Sequence, residues 1–325
     1  MAWNRIEEQR GTMNEAVIKK GKVAVIGLTG QSAFLQTEYL PGPGETIPCS
    51  GLFFEPGGKG HNQAIACRRT GAGTLFIGAV GSDANGKACR TALGQEGIEL
   101  CLMEKESPTA FAVITTARDG ENMVEVYGGA ALGLGAEDLK SGKVRGAIQE
   151  CDYLLLQNEL QGECLRTAID IAQESGVPVI LNPAPARNLE PSLLSRCRIV
   201  TPNYGEAKEL AGFGPEEEPS PEELAGFFRR SRIENTMITM GGRGVLLITD
   251  SRCEMIPAFS AGPVVDTTGA GDTFNGVLAG MLSGGAPLEQ AILTAVTAAG
   301  ISVTRPGAAG SIPDMGEILE RQLDQ

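Results

Sequence analysis

Gly269, Ala270 and Gly271 stand immediately before an acid, Asp272, in the run Val264-Val-Asp-Thr-Thr-Gly-Ala-Gly-Asp-Thr-Phe-Asn-Gly276. These three residues put almost no side chain in front of their backbone N–H groups, and a helix-compatible run, Thr273 to Leu282, follows at once. Bare amides at the start of a helix, where the peptide dipoles present their positive end, make a place for an anion. A carboxylate beside that place is repelled by the anion unless it has a task there. Taking a proton from an attacking hydroxyl is such a task, while the amides hold the charge that develops on a transferring phosphoryl group. For Gly-Ala-Gly-Asp alone, a tight turn with Asp272 as helix N-cap is the simpler account.

Other stretches also hold polar residues at informative spacings. In Glu55-Pro-Gly-Gly-Lys-Gly-His-Asn-Gln-Ala, the residues Gly57, Gly58 and Gly60 let a ligand approach the backbone at the start of a helix expected over Asn62 to Thr70. Asn62 offers a donor and an acceptor to a polyhydroxy molecule, although a plain glycine-rich cap explains the segment as well. Asn203 and Glu206 lie three apart at a helix start. A carboxylate beside an amide can hold a magnesium water shell, or the two can form a capping pair. Thr239-Met-Gly241-Gly-Arg243-Gly244 is a glycine-rich turn between strands, in which Arg243 suggests a nucleotide phosphate. Gly81 to Lys87 has the glycine and lysine spacing of a Walker A loop, yet Ala88 stands where a hydroxyl must hold magnesium. That stretch reads better as a turn leading into a helix, Lys87 to Gln95.

Together these segments resemble the ribokinase-like (PfkB) carbohydrate kinase family. The run around Asp272 is similar to the family's C-terminal signature, and Gly57 to Asn62 to its N-terminal Gly-Gly-Lys-Gly-x-Asn. Asn203-Tyr-Gly-Glu206 and the Gly241 to Gly244 turn are similar to two lesser motifs, and the resemblance runs from about Lys22 to Gln325. It implies ATP-dependent phosphorylation of a hydroxyl on a sugar or sugar-like small molecule. On the matching positions, Asp272 is implied as general base and the amides of Gly269, Ala270 and Gly271 as the hole for the γ-phosphate. Gly58, Lys59, Asn62 and Glu159 are implied at the sugar, and Asn203, Thr239, Gly241, Arg243 and Gly244 at the nucleotide. Glu206 is implied at Mg2+ through water, and Asp266, Thr268, Ser302, Arg305, Gly307 and Ser311 around a K+ ion, mostly by backbone carbonyls.

The chain departs from the family at the acceptor end: Ser32 stands where an Asp usually bonds sugar hydroxyls, and Gly30 where Asn is found. A serine can bond one hydroxyl but cannot accept from two as a carboxylate does. His61 fills the variable position of the N-terminal motif, where a lone histidine is more often packed than liganding. A nucleoside kinase, a sugar-phosphate kinase and a non-catalytic sensing protein on the same scaffold are the alternatives. A sugar-phosphate acceptor would need extra cations near it.

These residues need strands and helices to position them. Lys22 to Gly27 is an apolar run ending in glycine, the first strand of a sheet buried on both faces, and Leu28 to Ser32 is expected as the turn after it. Those glycines do not fit the dinucleotide-binding G-x-G-x-x-G. Strands at Leu75 to Val80, Tyr153 to Gln157, Val179 to Asn182, Ile199 to Pro202 and Thr236 to Thr239 alternate with helices at Gly162 to Ser175, Tyr204 to Ala211 and Pro221 to Ser231. Helices from Thr273 and from Pro287 to Ser302 close the chain. The pattern predicts an α/β fold, a doubly wound, mainly parallel sheet with helices on both faces. Extended segments at about 45–55 and 110–128 interrupt the alternation and are placed outside the main sheet. The resemblance makes them a small β lid over the substrate, and a contact between the two copies of a homodimer.

At 325 residues and 42% hydrophobic content, one large kinase domain over 21–325 accommodates all of this. Residues 1–20 mix charges without an apolar core; they read as a tail and not a signal peptide, and Met13 as an alternative start. A formal charge of −13 argues against nucleic acid as a partner, and no run of about 18 apolar residues predicts a membrane span. Eight scattered cysteines without a C-x-x-C pair are expected to be reduced, buried and structural, as in a cytoplasmic protein. A single histidine leaves little material for a zinc site or a serine-type triad.

Overall fold

Val23, Ala24, Val25 and Ile26 are wholly buried in the computed structural model, which describes residues 20–323. Side chains alternate across a strand, so in β1 (Lys22–Ile26) Ala24 and Ile26 enter one apolar layer while Val23 and Val25 enter the other. The same division recurs in β4 (Gly73–Gly81), with Leu75 and Ile77 opposite Phe76, and in β8 (Tyr153–Gln157), with Leu154 and Leu156 opposite Leu155. Strands apolar on both faces need helices on both, and the expected doubly wound α/β architecture results.

The main sheet runs β13 (Cys253–Ile256), β12 (Val245–Ile248), β11 (Asn235–Thr239), β10 (Ile199–Val200), β9 (Val179–Asn182), β8, β1, β4, β5 (Glu99–Lys105). Neighbours from β11 to β5 pair in parallel, and β12 and β13 add an antiparallel edge. The chain moves outward from β1 to β4 and β5, then outward on the other side from β8 to β11. The order reverses between β1 and β8, where a doubly wound sheet opens a crevice at the carboxyl ends of its strands.

A second sheet, β3 (Gly51–Gly57), β2 (Gly30–Thr37), β6 (Ala110–Ala117) and β7 (Asn122–Tyr127), lies apart from the first. The extended segment expected over 45–55 pairs only from Gly51 onward. The turn expected at Leu28 to Ser32 is corrected: from Gly30 the chain is already a strand, antiparallel to β3 and parallel to β6 along its length. Its partners are distant in sequence, so local composition does not reveal the pairing.

Three helices begin earlier than their sequence suggests, at Lys59, Ala84 and Ala270 in place of Asn62, Lys87 and Thr273. Gly58 (φ 107°) and Gly269 (φ 76°) take backbone angles that only glycine holds without strain, and helix starts directly after each. Asp83 caps the Ala84–Gln95 helix through the Gly86 N–H, as a turn into a helix requires. The eight cysteines are all free, and Cys49 is exposed, against the expectation of burial. No helix among the described residues is long and apolar enough to cross a membrane. The tail expected over 1–20 lies, apart from Lys20, outside the described residues.

Candidate active site

Asp272 sits in the first turn of the Ala270–Ser283 helix, yet it does not cap it: Gly269 is the N-cap and no side chain bonds there. Its carboxylate turns the other way. Oδ2 accepts from Asn62 Nδ2 at 3.0 Å and Oδ1 from Gln63 Nε2 at 2.9 Å, both on the Lys59–Arg69 helix. The simple capping account therefore fails on geometry. A side chain at Gly269 would come within 3.2 Å of Ala308, whereas at Gly271 it would meet nothing. Gly269 and Gly271 line the cavity, but Ala270 does not, and its N–H donates to the Thr267 carbonyl at 3.3 Å. Burial raises the Asp272 carboxyl to about 6 from 3.8, against the pull of the Lys59 charge and the amide donors Gln63 and Asn62.

The two helices meet at the sheet reversal, and their N-terminal ends share one cavity of about 360 Å³. Asp272, Gly269, Gly271, Gly58, Lys59, Asn62, Ser32 and Glu159 all line it, roofed by Phe34, Ile114, Val124 and Val126 of the second sheet. Lys59 Nζ pairs with Glu159 Oε1 at 3.1 Å, and Glu159 Oε2 accepts the Lys59 backbone N–H at 3.1 Å. Burial pulls the Lys59 ammonium down, but the Glu159 and Asp272 carboxylates outweigh it and hold the group above its ordinary value. Asn62 Oδ1 is buried without a partner. A side chain at Gly30 would lie 2.5 Å from the Ala110 carbonyl, so this lid leaves no room for an Asn at that place.

Asn203, Glu206 and Thr239 line the same cavity, with Asn203 and Thr239 joined by a parallel bridge. Asn203 and Glu206 form a capping box, each side chain accepting the other's backbone N–H at 2.8 Å. Burial still raises the Glu206 carboxyl above its ordinary range. Gly241, Arg243 and Gly244 lie in a short 3-10 turn outside the cavity lining, with the Arg243 guanidinium 5.2 Å from the Tyr204 ring.

The residues expected around a potassium ion are only partly brought together. Asp266 accepts from the Thr268 and Gly307 N–H groups, both at 2.9 Å, and so ties the loop before the signature helix to the 307–311 loop. The Ser302 and Ser311 hydroxyls donate to the Ala299 and Ala308 carbonyls, and Arg305 pairs with Glu317. With those side chains occupied, backbone carbonyls are what the loops have left to offer a cation. Among the described residues no group of three or more His, Cys, Asp or Glu could hold a metal. A lone carboxylate such as Glu206 fits magnesium held largely by waters and phosphates, as that ion prefers. His61 is wholly buried, its Nδ1 2.8 Å from Thr29 Oγ1, and burial lowers it to about 4; it is a packed residue.

Sequence reasoning missed Gln63, Gln157, Asn182 and Glu55. Gln157 and Asn182 each end an otherwise apolar strand at the ligand side of the sheet, which is a readable signal. Glu55 accepts from the Gly310 N–H at 2.9 Å and the Ala308 N–H at 3.4 Å, tying the lid to the loop that backs Gly269.

A parallel α/β sheet with a roofed crevice at its reversal, and a carboxylate beside helix amides, is the arrangement of a small-molecule phosphotransferase. The chain belongs to the pfkB family of carbohydrate kinases, whose sequence profile matches residues 20–315. It is 37% identical to the ribokinase of Haemophilus influenzae over 300 residues, 92% of this chain and 97% of that one. Its fold superposes on the ribokinase of Thermotoga maritima with a TM-score of 0.85 at 31% identity, covering 93% of this chain and 99% of the other. It superposes on Arabidopsis thaliana ribokinase complexed with ribose and ATP with a TM-score of 0.84 at 28% identity, covering 93% of this chain and 98% of the other.

Proposed function

We propose that this carbohydrate kinase, its kinase domain spanning 21–325, transfers the γ-phosphoryl group of ATP to a hydroxyl of an uncharged sugar or sugar-like molecule, with Asp272 as general base. The observation that carries the reading is the pairing of Asp272 with Asn62: both residues line one cavity, and the Asn62 amide oxygen is left without a partner. An acceptor hydroxyl donating to Asn62 Oδ1 brings a second hydroxyl within reach of the Asp272 carboxylate. That carboxylate takes the proton as the acceptor oxygen bonds to phosphorus and the bond to ADP breaks. The Gly269 and Gly271 amides face the charge on the transferring group, and the Ala270 N–H joins them once it gives up its bond to the Thr267 carbonyl. Lys59 and Glu159 hold the acceptor as a fixed donor and acceptor pair. Asn203 and Thr239, with the Gly241, Arg243 and Gly244 turn beyond, take the nucleotide. Glu206 would hold Mg2+ through water, where the ion would neutralise charge on the phosphates, and backbone carbonyls of the loops around Asp266, Thr268, Ser302, Arg305, Gly307 and Ser311 would hold a K+ ion.

The charged residues of the cavity lining decide between acceptors. Among the described residues they are Glu55, Lys59, Glu159, Glu206 and Asp272, so the one cation in that set is already paired with Glu159. A sugar phosphate finds no free counter-charge there. Ser32 with Gly30 leaves fewer groups for hydroxyls than the Asp and Asn of the family pattern would, which favours an acceptor with fewer of them at that end. A second copy of the chain covering the exposed lid residues Leu52 and Phe54 gives the expected homodimer. The test is ATP consumption over pentoses, deoxypentoses, hexoses, their phosphates and nucleosides, with and without potassium. Uncharged sugars are expected to stimulate ADP formation and phosphates not to. No stimulation by any acceptor would favour a sensing protein.

A further inference from the structure

We propose that Gln63 is a positioning residue for the transfer: backed by Gln157, it fixes the Asp272 carboxylate in one orientation toward the cavity. The inference rests on the reading of Asp272 as the base and adds what holds that base in place.

Gln63 is wholly buried and, unlike its neighbour Asn62, stays out of the cavity lining. An amide side chain has one acceptor oxygen and two N–H donors. Gln157 Nε2 donates to Gln63 Oε1 at 2.7 Å, its own Oε1 having no partner, and two acceptor oxygens on the other side call for the Gln63 Nε2 donor. There it donates to Asp272 Oδ1 at 2.9 Å and to Asn182 Oδ1 at 3.1 Å. Asn182 cannot flip to upset this, because its own Nδ2 donates to the Thr201 backbone carbonyl at 2.9 Å. Thr201 Oγ1 in turn bonds Asn275 Oδ1, and Asn275 Nδ2 donates to the Gly271 carbonyl at 2.8 Å. One run of buried polar groups thus joins the ends of β8 and β9 and the residue after β10 to the base and to the backbone of the amide nest. The end of β1 makes room for it: a side chain at Gly27 would lie 2.1 Å from Gln157 Oε1.

The two amides on Asp272 differ in what they face. Asn62 lines the cavity and can exchange its bond for one to a ligand, whereas Gln63 has no ligand to turn to. Its bond to Oδ1 persists while Oδ2 does chemistry. A donor to the ionised acid also favours that ionised form. The charged groups that act on Asp272 beside it are Lys59 on the same helix as Gln63, which favours ionisation, and Glu159 after β8 and Glu206 on the Tyr204–Ala211 helix, which oppose it.

The first readout needs no knowledge of the acceptor, and the kinetic one uses whichever sugar the acceptor screen finds. Protein labelled with carboxyl carbon-13 aspartate is titrated by NMR, and the Asp272 signal is assigned by its loss in Asp272→Asn. In Gln63→Met the Asp272 midpoint is expected to rise by about one pH unit. In Gln157→Met, which frees Gln63 without touching Asp272, it should rise by less. In both, the acid limb of the kcat profile moves with it while KM for ATP stays within about twofold. An unmoved midpoint in either folded variant overturns the proposal, and so does a fall in kcat at every pH without a shifted limb. If the midpoint moves but the wild-type chain phosphorylates no acceptor, the base assignment fails and the positioning stands.

Discussion

Asp272 holds its position at a cost in stability, and that conflict can be measured. Its carboxyl titrates at about 6 in the folded chain against an ordinary 3.8, because burial penalises the charged form. The folded state therefore binds the extra proton more readily than the unfolded state, and stability is lost as pH rises from about 4 to about 6. A tenfold difference in proton affinity is worth about 1.4 kcal/mol, so at pH 8 the deficit is on the order of 3 kcal/mol. Asp272→Asn removes it, so calorimetry should find the variant melting several degrees above wild type at pH 8 and near it at pH 4. Turnover should respond oppositely. A base must be ionised, so wild-type kcat should fall below about pH 6. The place of Asp272 at a helix start in the site is legible in the sequence because the full run from Val264 to Gly276 resembles the family's C-terminal signature, whereas Gly-Ala-Gly-Asp alone reads more simply as a capped turn. That of Gln63 is not, because a glutamine inside a helix reads as ordinary until Gln157 and Asn182, far apart in sequence, are seen to converge on it.

Two helices carry this site, and their separation sets its geometry. Gly276 lets the Ala270–Ser283 helix lie against the Lys59–Arg69 helix: a side chain there would come within 2.3 Å of the Gln63 carbonyl and 2.5 Å of Ala66. Gly276→Val should force the helices apart, lowering stability by about 1–3 kcal/mol in denaturant titrations and turnover by more than the fraction unfolded explains. Gly276→Ala should do the same to a smaller degree. Strands of the main sheet are readable from sequence because they are apolar on both faces, as β1 and β8 show. The start of β2 reads instead as a turn, because its pairing with β3 and β6 depends on partners the local sequence does not display. The difference matters, since Ser32 belongs to a strand at the cavity and not to a free loop. The capping box of Asn203 and Glu206 carries the opposite lesson: helix capping and a place in the cavity lining coexist in one pair, so naming one of the two accounts does not exclude the other.

At the scale of the whole molecule, the lid sheet is both roof and exposed surface. Leu52 and Phe54 of β3 are 57% and 59% exposed on a chain whose net charge is −13, and such a charge keeps copies apart unless an apolar face draws them together. Sedimentation should therefore show a dimer, and Phe54→Asp should give monomers with a raised KM for the acceptor. The crevice at the sheet reversal works as a kinase site only if one carboxylate removes the acceptor's proton. ADP formation at about pH 7.5 with a saturating sugar acceptor, compared between wild type and Asp272→Asn, tests it most directly. The variant should lose on the order of 10²–10⁴-fold in kcat while binding ADP as tightly as wild type. Turnover by Asp272→Asn within a few-fold of wild type would contradict the assignment.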